Sequence, residues 1–192
     1  MGRSAKVLGT GDVRRLISHA RWKRNAQRDQ VMVLLSFKAG LRAGEIAGLD
    51  WSMVVRPDGQ VGRLINVSDR IAKYRSGRRV PLNPELRSAI VKLHRMAGHP
   101  EMGPLIRSER GGNMTARSVV NWFRSVYAEL GMGGCSSHSG RRTFITKSAR
   151  LLARTGGSLK DVQELAGHRA LTTTERYIEG DRDVQRKIVR LV

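Results

Sequence analysis

The chain has one cysteine and no long apolar segment, and both absences restrict where it works. Cys135 cannot form an internal disulfide by itself, which favours a reducing compartment, and we expect the cytoplasm. No apolar run approaches the ~18 residues of a membrane-spanning helix. The opening stretch MGRSAKVLGT also lacks the apolar region of a secretory signal, so we expect none.

The sequence also lacks the patterns of metal, nucleotide and serine-hydrolase sites. It has no CxxC motif, no histidines four residues apart, no GxxxxGK[ST] phosphate loop and no GxSxG elbow. Ser136, Ser137 and Ser139 flank His138, but no aspartate stands in a recognisable context beside them. We therefore predict no metal, no cofactor and no serine nucleophile.

Acidic residues are scarce, and this imbalance is the strongest global feature of the sequence. Lys and Arg number 36 against 16 Asp and Glu, which gives a formal charge of +20. The basic residues extend from Arg3 to Arg190, and arginine, whose planar fork suits phosphate oxygens, predominates. A solvated basic surface or a membrane-surface protein would share this charge. Its size nevertheless favours binding to a polyanion, above all a nucleic acid.

The length and the hydrophobic content of 40% predict one globular domain that is mainly helical. Apolar residues recur at helical spacing, and glycine-containing turn signals separate the periodic segments. Thr172, Thr173 and Thr174 are poor helix interior, so they indicate a break or the start of a short helix. The predicted helices span residues 12–23, 25–39, 41–49, 84–96, 115–130, 138–154 and 158–166, with a last one in DVQRKIVRLV.

Residues 51–82 differ in character from the helical segments on either side. The stretches WSMVV, GRLINVS and RSGRRVPL are rich in β-branched residues, and turn signals such as RPDGQVG separate them. This pattern predicts a small three-stranded antiparallel β-sheet. The predicted fold class is therefore mainly α with one small sheet, an α+β domain.

Two charged features stand out in the first half of the chain. In AGLRAGEIAGL, Arg42 and Glu45 are three residues apart and share a helical face, as an ordinary surface ion pair also would. In IAKYRSGRRVPL, Lys73 precedes a glycine turn. A lysine at the tip of a hairpin can reach a neighbouring site, or it can simply be solvated. Taken singly, neither feature predicts a function.

Three further features lie in the last third of the chain. In HSGRRTF, His138 and Arg141 share a helical face and could both donate to one phosphate, or form a simple surface pair. His168 ends the stretch LAGH, where a histidine commonly caps a helix. Tyr177 follows nine residues later, and a lone tyrosine is more commonly a packing residue than a nucleophile.

Together, and in this order, the five features resemble the catalytic domain of the tyrosine recombinases. The matching elements are GLRxxE, a lysine before VPL, HxxR, a GH pair close to LGH, and a tyrosine nine residues after that histidine. Phage integrases and Xer-type recombinases belong to this family, and type IB topoisomerases share its chemistry. The resemblance extends over residues 12–177 and implies the DNA breaking-rejoining fold of the family.

The resemblance implies roles for the matching residues in cleaving double-stranded DNA. Arg42 and Arg141 would clamp the scissile phosphate, with His138 and His168 as further donors. Lys73 would protonate the leaving 5′ oxygen, which leaves poorly without a proton. Arginine forks and imidazoles can offset the extra negative charge of a pentacoordinate phosphorus, as a divalent metal does in other enzymes.

The same resemblance makes Tyr177 the nucleophile and Glu45 a support for the first arginine. Because free tyrosine has a pKa of ~10, its attack requires a nearby acceptor or a strongly positive site. The implied product is a 3′-phosphotyrosine link with a free 5′-hydroxyl, and religation needs neither ATP nor a metal. The implied activity is site-specific DNA recombination by a phage or another mobile element.

Two other functions remain open on the sequence alone. The first is a type IB topoisomerase-like enzyme that nicks and relaxes DNA, because it would use the same chemistry. The second is a catalytically silent DNA-binding remnant of a recombinase. The intact set of six matching residues disfavours the remnant, since a remnant is expected to have lost at least one.

The sequence departs from the family pattern at three places. Arg142 stands where relatives often have histidine, and LAGH replaces LGH. Most relatives also carry a separate helical DNA-clamping domain, whereas only residues 1–11 precede the first predicted helix here. We expect residues 1–11 to be an extension or linker remnant and residues 12–180 to form the catalytic domain, without an N-terminal core-binding domain.

Residues 181–192 are predicted to form a C-terminal helix with an apolar stripe of Val184, Ile188 and Leu191. This stripe could pack on its own domain or, as in the family, dock onto a neighbouring protomer. Free protomers with a charge of +20 repel each other. We therefore expect a monomer in solution and a tetramer on paired DNA sites.

Overall fold

A computed structural model describes residues 5–177 and 189–190 and shows a mainly helical fold with one small sheet. The predicted C-terminal helix lies outside the described residues, apart from Val189 and Arg190. No helix of the described part is long and apolar enough to cross a membrane. Its α-helices are α1 (Thr10–Arg21), α2 (Ala26–Lys38), α3 (Ala43–Gly48), α4 (Pro84–Met96), α5 (Ala116–Glu129), α6 (Ser139–Thr155), α7 (Leu159–Ala166) and α8 (Leu171–Glu175).

Helix α2 lies at the centre of the fold because it is apolar on nearly every side. It packs against α1, α3, α4 and α6. Such all-round burial requires a helix without a polar stripe, and the sequence VMVLLSF supplies it. The fully buried consecutive residues are Val31, Met32, Val33, Leu34 and Leu35.

A second, smaller apolar cluster joins α6, α7 and Tyr177, which follows α8. Ile145, Val162 and Ala166 form its centre, and Phe144 and Tyr177 pack against it. Because α6 also packs on α2, the last two helices are attached to the main core through α6. This attachment determines where the C-terminal end of α7 and the segment carrying Tyr177 lie.

The sheet has two strands in the described residues, not the three that the sequence predicted. Strand β1 (Leu64–Val67) pairs antiparallel with β2 (Arg78–Pro81). The predicted first strand is instead a short 3₁₀ turn at Trp51–Met53, followed by one isolated bridge between Val55 and Val61. The turn buries its tryptophan and methionine in the main core, so this segment packs against the helices and does not extend the sheet.

The connection between β1 and β2 presents Lys73 to solvent. Tyr74 and Arg75 in this connection have positive φ angles of 63° and 52°, a backbone region that side chains usually avoid. The Asp69 carboxylate accepts a hydrogen bond from the Gly77 amide at 2.8 Å, which helps to close the loop. The tight loop therefore places Lys73 at the outer end of the hairpin, as the sequence predicted.

We expect Gly40→Ala to destabilise the junction between α2 and α3. Gly40 has a φ of +63°, and a Cβ there would clash with the Phe144 ring. Gly131 is a matched control, because its φ is +65° and no heavy atom lies within 4 Å of an added Cβ. Both alanines bear a left-handed backbone cost of about 1–2 kcal/mol. Gly40→Ala should lose a further ~1–3 kcal/mol through overpacking, measured by urea unfolding. Equal losses would show that Phe144 moves aside without cost.

Candidate active site

The C-terminal end of α7 binds three arginines through three successive backbone carbonyls, hereafter the α7 carbonyls. A helix C-terminus leaves carbonyls without intrahelical partners and carries partial negative charge, so it stabilises cations. The arginines come from β2, α6 and the residue before α3. The contacts are Arg78 Nε to the Leu165 oxygen at 2.8 Å, Arg141 Nη2 to the Ala166 oxygen at 2.6 Å, and Arg42 Nη2 to the Gly167 oxygen at 3.5 Å.

Arg141 is completely buried, although it lies in the first turn of α6. Its Nη1 donates to the Gly40 carbonyl at 2.7 Å while Nη2 donates to Ala166. Its Nε has no hydrogen-bond partner among the described residues. Burial, and then repulsion from Arg42, lowers the pKa of Arg141 to about 10, so the guanidinium remains charged at neutral pH. Arg141 is thus a rigidly held cation whose Nε is without a partner among the described residues.

Glu45 is buried and binds two arginines at once. Its carboxylate accepts from the Arg42 backbone amide and from Arg42 Nη1, both at 2.9 Å. The backbone contact closes a capping box at the start of α3. Arg78 donates to the same carboxylate through Nη1 at 3.0 Å and Nη2 at 2.9 Å. Burial alone would raise the pKa of Glu45, but the hydrogen bond and charge of Arg78 lower it overall.

His168 directly follows the end of α7 and contacts both α8 and Tyr177. Its Nδ1 lies 2.9 Å from the Thr174 hydroxyl, and its ring stacks on the Tyr177 ring with centroids 5.4 Å apart. The Thr146 hydroxyl donates to the Tyr177 carbonyl at 3.1 Å. Burial, and then repulsion from Arg141, lowers the pKa of His168 to about 4, so its imidazole is neutral at neutral pH.

Lys73 approaches the same site from the hairpin. Its Nζ lies 4.8 Å from the centroid of the Tyr74 ring, and the Arg169 guanidinium lies 5.4 Å from that centroid. Ser76 donates to the Lys73 carbonyl at 2.8 Å and also contacts the Gly167 carbonyl at 3.5 Å. The Ser76 hydroxyl therefore connects the backbone at Lys73 to the end of α7, while the Lys73 side chain itself is exposed.

His138 precedes α6 as its N-cap residue, one residue short of the helix that the sequence predicted to include it. The side chain is exposed to solvent, yet the cations around it affect its pKa. Desolvation, followed by repulsion from Arg141, Arg42 and Lys73, lowers the pKa of His138. The imidazole is consequently neutral at neutral pH, and it shares one electrostatic environment with these three cations.

The region that contains these residues matches one known protein family. The model of the Phage integrase family matches residues 6–183, which includes every residue of the site described above. The chain belongs to the phage integrase family.

Curated relatives of this phage integrase family chain are tyrosine recombinases. It is 32% identical over 157 residues to the tyrosine recombinase XerC of Methylobacterium nodulans, which covers 80% of this chain and 46% of the relative. It is 30% identical over 179 residues to XerC of Brucella suis, which covers 90% of this chain and 54% of the relative. The chain thus spans about half the length of the curated relatives it matches.

Solved structures of recombinases share the integrase-family fold. The XerA recombinase matches with a TM-score of 0.73 and 22% identity, over 99% of this chain and 64% of that one. The Tn1549 transposon integrase, solved in complex with a circular intermediate DNA, matches with a TM-score of 0.76 and 19% identity, over 100% of this chain and 67% of that one. These similarities confirm the predicted fold class at the level of a mainly helical domain with a small sheet.

Two residues of the integrase-family site were not singled out in the sequence. Arg78 alternates with the buried Val80 on β2, so a strand pattern could have indicated an inward arginine in need of a buried partner. Thr174 carries no such signal. Nothing in the sequence distinguishes it from the two threonines before it, yet Thr174 is the one that contacts His168. Among residues 5–177, no group of three or more His, Cys, Asp or Glu side chains could hold a metal ion.

The threonines lie at the start of a short helix, as the sequence indicated. Thr172, Thr173 and Thr174 follow Leu171 in the five-residue helix α8. Thr174 is fully buried whereas Thr172 is exposed. The hydroxyl that bonds to His168 therefore offsets the poor helix propensity of the threonine run.

We expect Thr174→Val to destabilise the protein because it leaves the buried Nδ1 of His168 without its partner. Valine keeps the shape of threonine, so the change isolates the hydroxyl. An unsatisfied buried group costs about 1–3 kcal/mol, and urea unfolding measures that loss. Thr172→Val is the matched control on the same helix and should change stability by less than ~0.5 kcal/mol. Equal stability of the two variants would show that the His168–Thr174 hydrogen bond contributes nothing.

Proposed function

We propose that this chain is the catalytic domain of a tyrosine-type site-specific recombinase that cleaves and rejoins double-stranded DNA. The convergence of Arg42, Lys73, Arg141, His168 and Tyr177 around the end of α7 carries the proposal. Arg42, Lys73 and Arg141 come from distant parts of the sequence. The net charge of +20 and the recombinase names of the relatives support DNA as the substrate.

Arg42 and Arg141 bind the non-bridging oxygens of the scissile phosphate in this proposal. Each guanidinium contacts an α7 carbonyl through one nitrogen, so its orientation is set before DNA binds. The unpaired Nε of Arg141 supports this role, because a buried charged donor without a partner is costly unless a ligand satisfies it. Preorganised donors of this kind stabilise the charge that develops on phosphorus.

Tyr177 gives its hydroxyl proton to a neutral histidine imidazole and attacks the phosphorus, and the bond between phosphorus and the 5′ oxygen breaks. The new bond is a 3′-phosphotyrosine link, and Lys73 gives a proton to the departing 5′ oxygen. Religation reverses these transfers, with the free 5′-hydroxyl as the nucleophile and Tyr177 as the leaving group. The phosphodiester energy is kept in the tyrosine link, so the proposed cycle consumes no ATP.

The neutral histidines fit the remaining proton transfers. The lowered pKa values of His138 and His168 keep both imidazoles neutral at neutral pH, so each can accept a proton as well as donate a hydrogen bond. When the Thr174 hydroxyl donates to Nδ1 of His168, the imidazole carries its hydrogen on Nε2 and can donate it to a phosphate oxygen.

Incubation with a pool of nicked duplexes of randomised sequence tests the chemistry without knowledge of the cognate site. A nick near the cleavage point releases the 5′ fragment, so a covalent protein–DNA adduct accumulates and survives SDS. We expect this adduct with EDTA present, and we expect DNA binding to weaken steeply with salt. No adduct with any duplex, or an adduct that EDTA abolishes, would contradict the proposal.

A plasmid assay separates recombination from a topoisomerase-like activity. A supercoiled plasmid with two copies of the selected site should yield recombined products. In a separate light-scattering measurement, the free protein should be a monomer and its complex with DNA a tetramer. Relaxation of the plasmid without recombined products would instead favour the type IB topoisomerase-like alternative.

A further inference from the structure

The reaction proposed above assigns no step to Arg78, yet all three nitrogens of its guanidinium are hydrogen-bonded inside the site. Nε donates to the Leu165 carbonyl, and both Nη atoms donate to Glu45. The side chain is only 6% exposed, so it is directed towards the protein and away from a DNA ligand. We infer that Arg78 is a positioning residue that sets the place and the free charge of Arg42. The inference rests on the proposed function.

Arg78 orients the Glu45 carboxylate. Its planar guanidinium donates to both carboxylate oxygens, which fixes the plane of the carboxylate. Arg42 binds the same two oxygens, through its backbone amide and its Nη1. The position of the Arg42 guanidinium therefore depends on a carboxylate that Arg78 orients.

Arg78 also offsets the negative charge of Glu45. Arg42 and Arg78 share one carboxylate, so the trio with Glu45 carries one net positive charge. Without Arg78, the carboxylate would neutralise Arg42 and would compete with a phosphate for its donors. Because Arg78 takes up the charge of Glu45, the charge of Arg42 stays available to DNA.

Arg78 also contacts the C-terminal end of α7. Arg78 binds the Leu165 carbonyl, one residue before the carbonyl that orients Arg141. It also packs against Gly167, where an added Cβ would lie 2.8 Å from Arg78 Nη1. Arg78 thus connects the β2 strand of the lysine hairpin with α3 and with both clamping arginines.

Arg79 provides a matched control on the same strand. It is the next residue, it points to the opposite face of β2, and it is exposed. Arg79→Gln removes the same charge from the protein as Arg78→Gln but leaves the contacts to Glu45 untouched. Comparing the two variants separates positioning from the general loss of positive charge.

The test measures the single-turnover rate of adduct formation at saturating DNA beside the dissociation constant. Arg78→Gln should slow adduct formation about a hundredfold, because a small displacement of a positioned group costs that much. Its dissociation constant should change by less than ~threefold, since one charge contributes little to total phosphate binding. Arg79→Gln should keep the rate within ~twofold. Equal rates in wild type and Arg78→Gln would overturn the inference.

Two further variants guard against simple misfolding. Arg78→Lys keeps the charge but not the fork, and it should recover part of the rate, to within about tenfold of wild type. The double variant Arg78→Gln with Glu45→Gln removes the stranded buried carboxylate and should fold, as shown by its thermal melt. It should remain about a hundredfold slow. A folded double variant at the wild-type rate would also overturn the inference.

A measurement without DNA distinguishes failure of this inference from failure of the proposed function. In protein labelled with ¹⁵N-arginine, the Nε–H signal of Arg42 should shift in Arg78→Gln and stay in place in Arg79→Gln. If the wild type forms no adduct, the proposed function fails while this signal still reports whether Arg78 positions Arg42. An unchanged Arg42 signal in folded Arg78→Gln would contradict the positioning role.

Discussion

Tyr177→Phe should abolish the covalent protein–DNA adduct while the fold and the affinity for DNA persist. Phenylalanine keeps the ring that stacks on His168, and the contact from Thr146 goes to a backbone carbonyl that the change does not touch. The only group lost is the hydroxyl proposed to attack phosphorus. Without that hydroxyl no phosphotyrosine bond can form, so we expect no detectable adduct.

The chain supplies its own controls, because it contains only three tyrosines. Tyr127→Phe removes a buried hydroxyl that has no partner among the described residues, so it should leave stability unchanged or slightly raised. Tyr74→Phe alters an exposed ring on the hairpin. Both variants should form the adduct. Adduct formation by Tyr177→Phe, or its loss in Tyr127→Phe alone, would assign the nucleophile to another residue.

The parts of the site that are close in sequence could be predicted from spacing. Arg42 and Glu45 are three residues apart, and their contact follows from helical geometry and the capping box at α3. The placement of Lys73 at a hairpin follows from its glycine turn and flanking β-branched residues. The resemblance then predicted which of these local features would work together.

The α7 carbonyls could not be predicted from any pattern, since backbone oxygens have no sequence signature. Arg78 reaches Leu165 across 87 residues, and Arg141 reaches Gly40 across 101. Such contacts depend on how α6 and α7 pack on the core, which composition and periodicity do not specify. The same limit applies to the hydrogen bond between Thr174 and His168.

The predicted third strand does not form, and the reason is local. The Asp50 carboxylate accepts hydrogen bonds from the amides of Ser52, at 3.0 Å, and Gly103, at 2.9 Å. A short acidic side chain that caps the following turn competes with extended structure. The buried Trp51 then has a place in the helical core, so the apolar residues of WSMVV pack without forming a strand.

Arg141→Lys should nearly eliminate cleavage although it conserves the charge. The two Nη atoms of Arg141 donate to carbonyls on different elements while Nε remains unpaired. A lysine ammonium is a compact donor without this fork, so it cannot keep both carbonyls and bind a phosphate in the same orientation. Loss of one preorganised donor to a transition state lowers the rate by about 10²–10³. We expect an effect of that size in single-turnover adduct formation.

The change should also be visible in stability, because the arginine is buried. One of its carbonyl acceptors is left unsatisfied, at a cost of about 1–3 kcal/mol in urea unfolding. Arg150→Lys is the control on α6, where the arginine is exposed and the same exchange should be neutral. A variant Arg141→Lys that loses stability but cleaves normally would show that Arg141 holds α6 and α7 together without touching the phosphate. Because the α7 carbonyls hold Arg42 as well, such a result would shift the proposed clamp to Arg42 and the histidines.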